Sequence, residues 1–139
     1  MSKDSAPHMD TGRYGEDLAA QFLENRGMRV MERNYRFERA EVDLICFEPA
    51  TEYARGGELV FVEVKTRRGT AFGRPEEAIS EAKQRNMARA AEAWLHERRM
   101  DGSPCRFDVV GVVLTSNGRH TIEHFRDAFW APGLSGFPT

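Results

Sequence analysis

In Leu59-Val60-Phe61-Val62-Glu63-Val64-Lys65, two charged residues interrupt an otherwise apolar run. Side chains alternate between the faces of a β-strand, so Phe61, Glu63 and Lys65 share one face and the three valines take the other. In Ala40-Glu41-Val42-Asp43-Leu44-Ile45 the same alternation puts Glu41, Asp43 and Ile45 together. If the two segments pair, Asp43 and Glu63 converge. Carboxylates that close repel, and one pKa rises unless positive charge lies between them. A hard divalent cation supplies that charge, and Mg²⁺ characteristically takes one or two carboxylates and keeps several waters. Lys65, on the face of Glu63, is spaced to orient or deprotonate an attacking water and to meet charge developing on a phosphoryl group. Two acids, Mg²⁺ or Mn²⁺ and an amine fit phosphodiester hydrolysis better than other reactions. Taken alone, an E-x-K pair on a strand is most often a solvated, salt-bridged face. The second strand tips the balance, because the central strands of a helix-covered sheet offer little solvated face for so many ionisable groups.

The elements that must position these residues follow from periodicity. Tyr14, Leu18 and Phe22, widened by Ala19 and Leu23, form the stripe of an amphipathic helix from Tyr14 to Arg26, with Gly27 as its stop. Strands are expected over Met28–Tyr35, Glu41–Phe47 and Glu58–Lys65, the last two paired antiparallel through a loop containing Pro49 and Gly56-Gly57. Pro75 suits a first helical turn, and helix formers run from Glu76 to Arg98 before Asp101-Gly102-Ser103-Pro104 ends them. Phe107–Leu114 reads as a strand covered on both faces, and Asn117-Gly118 as a two-residue hairpin turn into His120–Phe125. The β–α–β connection through the long helix implies parallel neighbours with a right-handed crossover. The expected fold class is therefore α/β, a mixed sheet flanked by helices in the order α-β-β-β-α-β-β.

The chain has 139 residues, 40% hydrophobic and 30% charged, which suits one domain with a core of its own. A single domain over residues 12–129 is expected, after a disordered lead at 1–11 and before an irregular tail at 130–139. No apolar run approaches the ~18 residues that span a bilayer, and residues 1–11 hold no apolar stretch of a secretory signal, so a cytoplasmic location is expected. The formal charge of −2 excludes a histone-like blanket of positive charge but not local basic patches. Cys46 and Cys105 have no partners at metal-ligand spacing; reduced buried thiols are expected, with an inter-strand disulfide as the alternative.

The combination Gly15-Glu16-Asp17-Leu18-Ala19-Ala20, Ala40-Glu41-Val42-Asp43-Leu44-Ile45, Phe61-Val62-Glu63-Val64-Lys65-Thr66-Arg67, Phe72-Gly73 and Arg106-Phe107-Asp108-Val109-Val110 resembles the YraN-type endonuclease-like proteins. These belong to the PD-(D/E)xK, restriction-endonuclease-like superfamily. One departure is Ala40, where the family usually carries glycine. The resemblance implies catalytic roles for Asp43, Glu63 and Lys65 and a further acidic residue at Glu16. Asp43, Glu63, the Val64 backbone carbonyl and Glu16, directly or through water, are then the expected metal ligands. The chain is also similar, at superfamily level, to archaeal Holliday-junction resolvases. That similarity implies DNA, branched or otherwise structured, as substrate and a homodimer as the assembly.

Other residues admit plainer readings beside functional ones. Glu16 fits a favourable first-turn acid as well as a ligand, and Glu41 shares the face of Asp43 without necessarily reaching a metal. Basic residues cluster at Arg33, Arg36 and Arg39, at Arg67, Arg68 and Arg74, and at Lys83, Arg85 and Arg89. Such runs are usually solvated faces, yet Arg67, Arg68 and Arg74 lie just beyond the proposed lysine, where a phosphate backbone would pass. They are taken, with Lys83, as the nucleic-acid contacts. His8, His96, His120 and His124 lack zinc spacing. Asp108 is expected as a buried structural partner, and Phe22 and Trp94 as packing. A metal-dependent endodeoxyribonuclease is the leading expectation. A non-catalytic nucleic-acid-binding protein that keeps the fold is the alternative, and a ribonuclease with the same chemistry a third.

Overall fold

The computed structural model describes residues 11–50, 56–69 and 79–130. Helix α1 (Thr11–Asn25) precedes strands β1 (Arg29–Phe37), β2 (Ala40–Pro49) and β3 (Gly57–Arg68), followed by helix α2 (Glu81–Glu97) and strands β4 (Cys105–Leu114) and β5 (His120–Phe129). The strands form one sheet in the order β1-β2-β3-β4-β5. Only β3 and β4 are parallel, Leu59 standing opposite Cys105 and Arg68 opposite Leu114. This is the mixed, restriction-endonuclease-like α/β arrangement expected from the sequence. Of the expected lead and tail, Thr11 is already helical and Trp130 is described; the rest lies outside the described residues.

Each face of the sheet carries one helix. On the α2 side, Val42, Ile45, Phe61 and Phe107 pack with Met87, Ala90 and Trp94. On the α1 side, Leu44, Cys46, Val60, Val62, Val110 and Val112 pack with Ala19 and Leu23. β4 is buried at every position, as its unbroken apolar run requires. Cys46 and Cys105 are free and buried.

The boundary of α2 differs from expectation. Ser80 is extended (φ −67°, ψ 162°), and its hydroxyl accepts the Lys83 N–H at 3.1 Å, so the helix starts at Glu81 rather than Glu76. Pro75, Arg74 and Phe72-Gly73 lie outside the described residues. The last hairpin is also longer than the two residues expected: Gly118 N–H donates to the Thr115 carbonyl, Gly118 is left-handed (φ 83°), and Thr115 N–H bonds the Arg119 carbonyl. That is a three-residue connection closed by glycine.

The buried stripe of α1 is Gly15, Ala19, Ala20 and Leu23: the expected Ala19 and Leu23 belong to it, and Tyr14, Leu18 and Phe22 are rotated off its centre. Leu18 and Phe22 pack at its flank, and Tyr14 is exposed. Small residues win the sheet-facing positions because the helix approaches β3 closely. A Cβ built on Gly15 would lie 1.8 Å from Thr66 Oγ1 and 2.9 Å from Thr66 Cβ. We therefore expect Gly15→Ala to cost about 1–3 kcal/mol through overpacking. Thr66→Ala in the same chain should recover part of that loss. Urea unfolding of the single and double variants measures both effects.

Candidate active site

The site forms where the sheet opens. The β2–β3 ladder begins at Leu44 opposite Val62. Just beyond that pair, the Val64 N–H donates to Asp43 Oδ2 at 2.8 Å. A side-chain carboxylate thus occupies a place in the gap where a strand carbonyl would otherwise serve. On the other side of β2, the pairs Arg33–Leu44 and Tyr35–Val42 flank Asn34 and Asp43, and Asn34 is left-handed (φ 55°). Val42 joins the α2-side core and Leu44 the α1-side core, although two residues apart. The strict alternation expected for Glu41, Asp43 and Ile45 is therefore wrong: β2 changes face at Asp43, with Ile45 buried beside Val42 in the α2-side core. Asparagine tolerates the conformation this needs on the opposing strand. Ala40 requires no such freedom, since the left-handed residue of the β1–β2 turn is Glu38 (φ 56°).

The expected convergence of Asp43 and Glu63 is present, the charge of Asp43 acting on the Glu63 carboxyl. Glu63 is 4% exposed. Lys65 Nζ lies 3.6 Å from its Oε2, and Lys83 Nζ 3.5 Å from its Oε1. Oε1 is nonetheless buried without a hydrogen-bond partner among the described residues, since Lys83 stands at ion-pair rather than hydrogen-bond geometry. Burial, then the charge of Asp43, pushes Glu63 up to about 7 against the pull of both lysines. Burial also raises Asp43, opposed by the Val64 N–H and Lys83. Glu16 projects from α1 toward the same acids. Burial and Asp43 raise its pKa, while a hydrogen bond from Asn34 and the charge of Arg33 lower it. Arg33 is itself paired with Asp17, which ties α1 to β1.

The donor set fits a hard divalent cation. A buried carboxylate oxygen lacks a hydrogen-bond partner, and two acids are held close with both pKa values raised although two lysines stand nearby. Among the described residues, no three His, Cys, Asp or Glu side chains gather tightly enough to hold a metal by themselves. Two carboxylates with waters completing the shell is the habit of Mg²⁺. Glu41 pairs with Arg36 at 3.8 Å. Arg67 and Arg68 are exposed beyond Lys65, and Arg89 pairs with Glu38 on the helix flank. Lys83 stands inside the acidic cluster, its backbone held by Ser80. Asn34 was not among the expected site residues, because its role depends on facing Asp43 across a register that no local pattern reveals.

A second ionic cluster lies at the far end of β3 and β4. Arg106 donates to Asp108 at 2.9 and 3.1 Å, to Glu48 at 2.6 Å and to Glu58 at 2.8 Å. Asp108 also bonds His124 at 2.8 Å and accepts the Asp127 N–H at 2.9 Å. These groups satisfy one another, and Asp108 is the structural partner expected. Both cysteine thiols are pushed by burial up to about 12, which removes them as nucleophiles.

Residues 15–112 match the model of "Uncharacterised protein family UPF0102". A UPF0102 protein of Rhodococcus opacus is 45% identical over 124 residues, covering 89% of this chain and 99% of the relative. The chain belongs to the UPF0102 family. Other members include a protein of Symbiobacterium thermophilum, 46% identical over 86% of this chain and 96% of its own length. A Pelobacter propionicus member is 42% identical over 86% and 82%. The UPF0102 match takes in Glu16, Asp43, Glu63, Lys65 and Lys83, the residues gathered at the open end of the sheet.

The Glu63 shift has a stability consequence. Its folded pKa of about 7 exceeds the ordinary 4.5, so the folded state binds more protons and loses stability as pH rises from about 4.5 through 7. The full cost above that window is about 3 kcal/mol at most. In chelator, Glu63→Gln should melt above wild type at pH near 8, with the difference closing toward pH 5. Thermal unfolding across that range checks it.

Proposed function

We propose that the chain is a divalent-cation-dependent endonuclease that hydrolyses phosphodiester bonds in DNA, branched or otherwise structured DNA included. The observation that carries this reading is the Glu63 carboxylate, buried beside Asp43 with one oxygen lacking a hydrogen-bond partner although Lys83 stands 3.5 Å from it and Lys65 3.6 Å from the other. A purely structural ion pair would satisfy that oxygen, as the Arg106 cluster satisfies its own.

Asp43 and Glu63 would hold Mg²⁺ or Mn²⁺, with the Val64 backbone carbonyl and, through water, Glu16. The cation, when bound, supplies positive charge to a phosphoryl oxygen and acidifies water. The Val64 N–H fixes the Asp43 carboxylate, so the acid is in position before a substrate arrives. Lys65, a third exposed, can turn from Glu63 toward the attacking water or the phosphate. Lys83 approaches Glu63 from α2 and adds a second positive charge facing the same opening. The opening lies toward the carboxyl ends of the parallel strands β3 and β4, the end of an α/β sheet where ligands bind. Arg67, Arg68, Arg74 and Lys83 are the proposed phosphate contacts. A homodimer would present paired centres to a symmetric branched substrate. No helix among the described residues is long and apolar enough to cross a membrane. The free cysteines suit a reducing compartment, and we place the protein in the cytoplasm.

Incubation of plasmid and branched-junction DNA with the protein in Mg²⁺ or Mn²⁺ should give metal-dependent cleavage. Asp43→Ala and Lys65→Ala should each lose at least about a hundredfold in rate. Mn²⁺ should raise the melting temperature of wild type and leave that of Asp43→Ala unchanged, because binding to the folded state alone stabilises it. DNA binding by wild type without cleavage would support a non-catalytic binder, and cleavage of RNA alone a ribonuclease. Cleavage that survives both substitutions would place the chemistry elsewhere.

A further inference from the structure

Beyond Lys65, β3 runs on to Arg68, which lines a cavity of about 320 Å³ together with Tyr14 of α1, Leu114 of β4 and Arg119 of the β4–β5 turn. The volume is at the lower end of small-ligand pockets. Tyr14 is 38% exposed, one of few large aromatic residues left open on this surface. Leu114 supplies an apolar floor. Arg68 and Arg119 are exposed, and neither guanidinium has an ion-pair partner among the described residues, unlike Arg33, Arg98, Arg106 and Arg126. Arg119 sits on a held turn: its N–H donates to Asn117 Oδ1 at 3.1 Å, and its carbonyl accepts the Thr115 N–H at 2.9 Å.

We propose that this cavity receives one unpaired nucleotide of the substrate strand, the base lying on Tyr14 and the phosphate between Arg68 and Arg119. The inference rests on the reading of the chain as a DNA-acting enzyme and names a feature of its substrate. A phosphate groove alone would need only the arginines. An open aromatic ring over an apolar floor asks for a flat, weakly polar partner, and every base offers one through its π-face. Bases in a duplex are stacked inside and cannot enter a side pocket without leaving the helix, so the occupant is unpaired. Arg68 follows Lys65 by three residues of β3, so its side chain takes the other face of the strand, the face on which Thr66 meets Gly15 of α1, and a substrate strand reaches both by passing over the carboxyl end of β3. Tyr14 and Glu16 leave the same turn of α1, and Gly15 between them packs on Thr66 of β3. Tyr14 and Arg68 of the pocket are thus carried by the same two elements as Glu16 and Glu63 of the acidic cluster.

The test compares a short blunt duplex with the same duplex bearing a single-stranded extension that carries a fluorescent adenine analogue, with calcium replacing magnesium. Wild type should bind the extended probe more tightly and quench its fluorescence. Tyr14→Ala should weaken that probe about tenfold, leave the blunt duplex unchanged and abolish quenching, whereas Tyr14→Phe should behave as wild type. Replacing Arg68 and Arg119 by alanine should reduce the salt dependence of binding the extended probe by about one phosphate contact. Free mononucleotide should displace that probe only weakly. The proposal is overturned if Tyr14→Ala matches wild type on both probes, loses both equally, or if free mononucleotide competes as well as the strand. A protein that shows the Tyr14-dependent preference but never cleaves in Mg²⁺ keeps the pocket and loses the nuclease reading. One that cleaves both probes equally, with Tyr14→Ala as active as wild type, does the reverse.

Discussion

The hydrogen bond from the Val64 N–H to the Asp43 carboxylate decides how the open end of this sheet is built. A central strand must find an acceptor for each buried amide. Here β2 has parted from β3 at that point, and an aspartate side chain fills the place a carbonyl would take. Everything catalytic in the proposal follows from this exchange. Asp43 is anchored by a backbone donor, and the ion pairs of both nearby lysines are made to Glu63. The parted strands make a cleft, and the left-handed Asn34 across from Asp43 lets β1 follow β2 through its change of face while bonding Glu16.

The two ionic clusters at the ends of β3 and β4 make an internal comparison. At one end Arg106 reaches three carboxylates, Asp108 collects a guanidinium, a ring nitrogen and a backbone amide, and Arg126 adds a bidentate contact to Glu48. Burial there is compensated, and the Asp108 and Glu48 carboxyls are held below the ordinary range. At the other end the carboxyls of Asp43, Glu63 and Glu16 are all raised, although lysines stand beside Glu63. The same strands therefore carry one complete buried network and one short of positive charge. A half-satisfied network destabilises a fold unless something else completes it. Both groups of acids are desolvated, and what separates them is whether hydrogen bonds compensate the burial, as they do at Asp108 and do not at Glu63.

Much of this was legible in the sequence because the relevant signals are short-range. Glu63 and Lys65 could be assigned to one face from strand periodicity, and the crossover from β3 to β4 from the intervening helix. The readings that failed depended on tertiary choices. The stripe of α1 turned toward Gly15 and Ala20 because close packing on Thr66 favours small side chains over Tyr14 and Phe22. The start of α2 moved to Glu81 because Ser80 offers a cap. The alternation in β2 broke at Asp43, where a residue on another strand, Asn34, permits the kink. Lys83 was named from the sequence as a nucleic-acid contact, and its place beside Glu63 follows from the capping serine three residues before it, whereas Asn34 was hidden because it matters only through its register.

The rotation of α1 has a consequence for the surface as well. Had Tyr14 faced the sheet, the helix would have stood farther from β3, and Glu16 with it. Glycine at position 15 brings the helix in, and the neighbouring tyrosine is turned outward beside Arg68. One substitution-sensitive contact therefore sets two features, the approach of Glu16 to Asp43 and the opening of an aromatic ring beside Arg68. Close packing of this kind transmits shifts between the faces of a helix, because neither the glycine nor the threonine beneath it has room to yield.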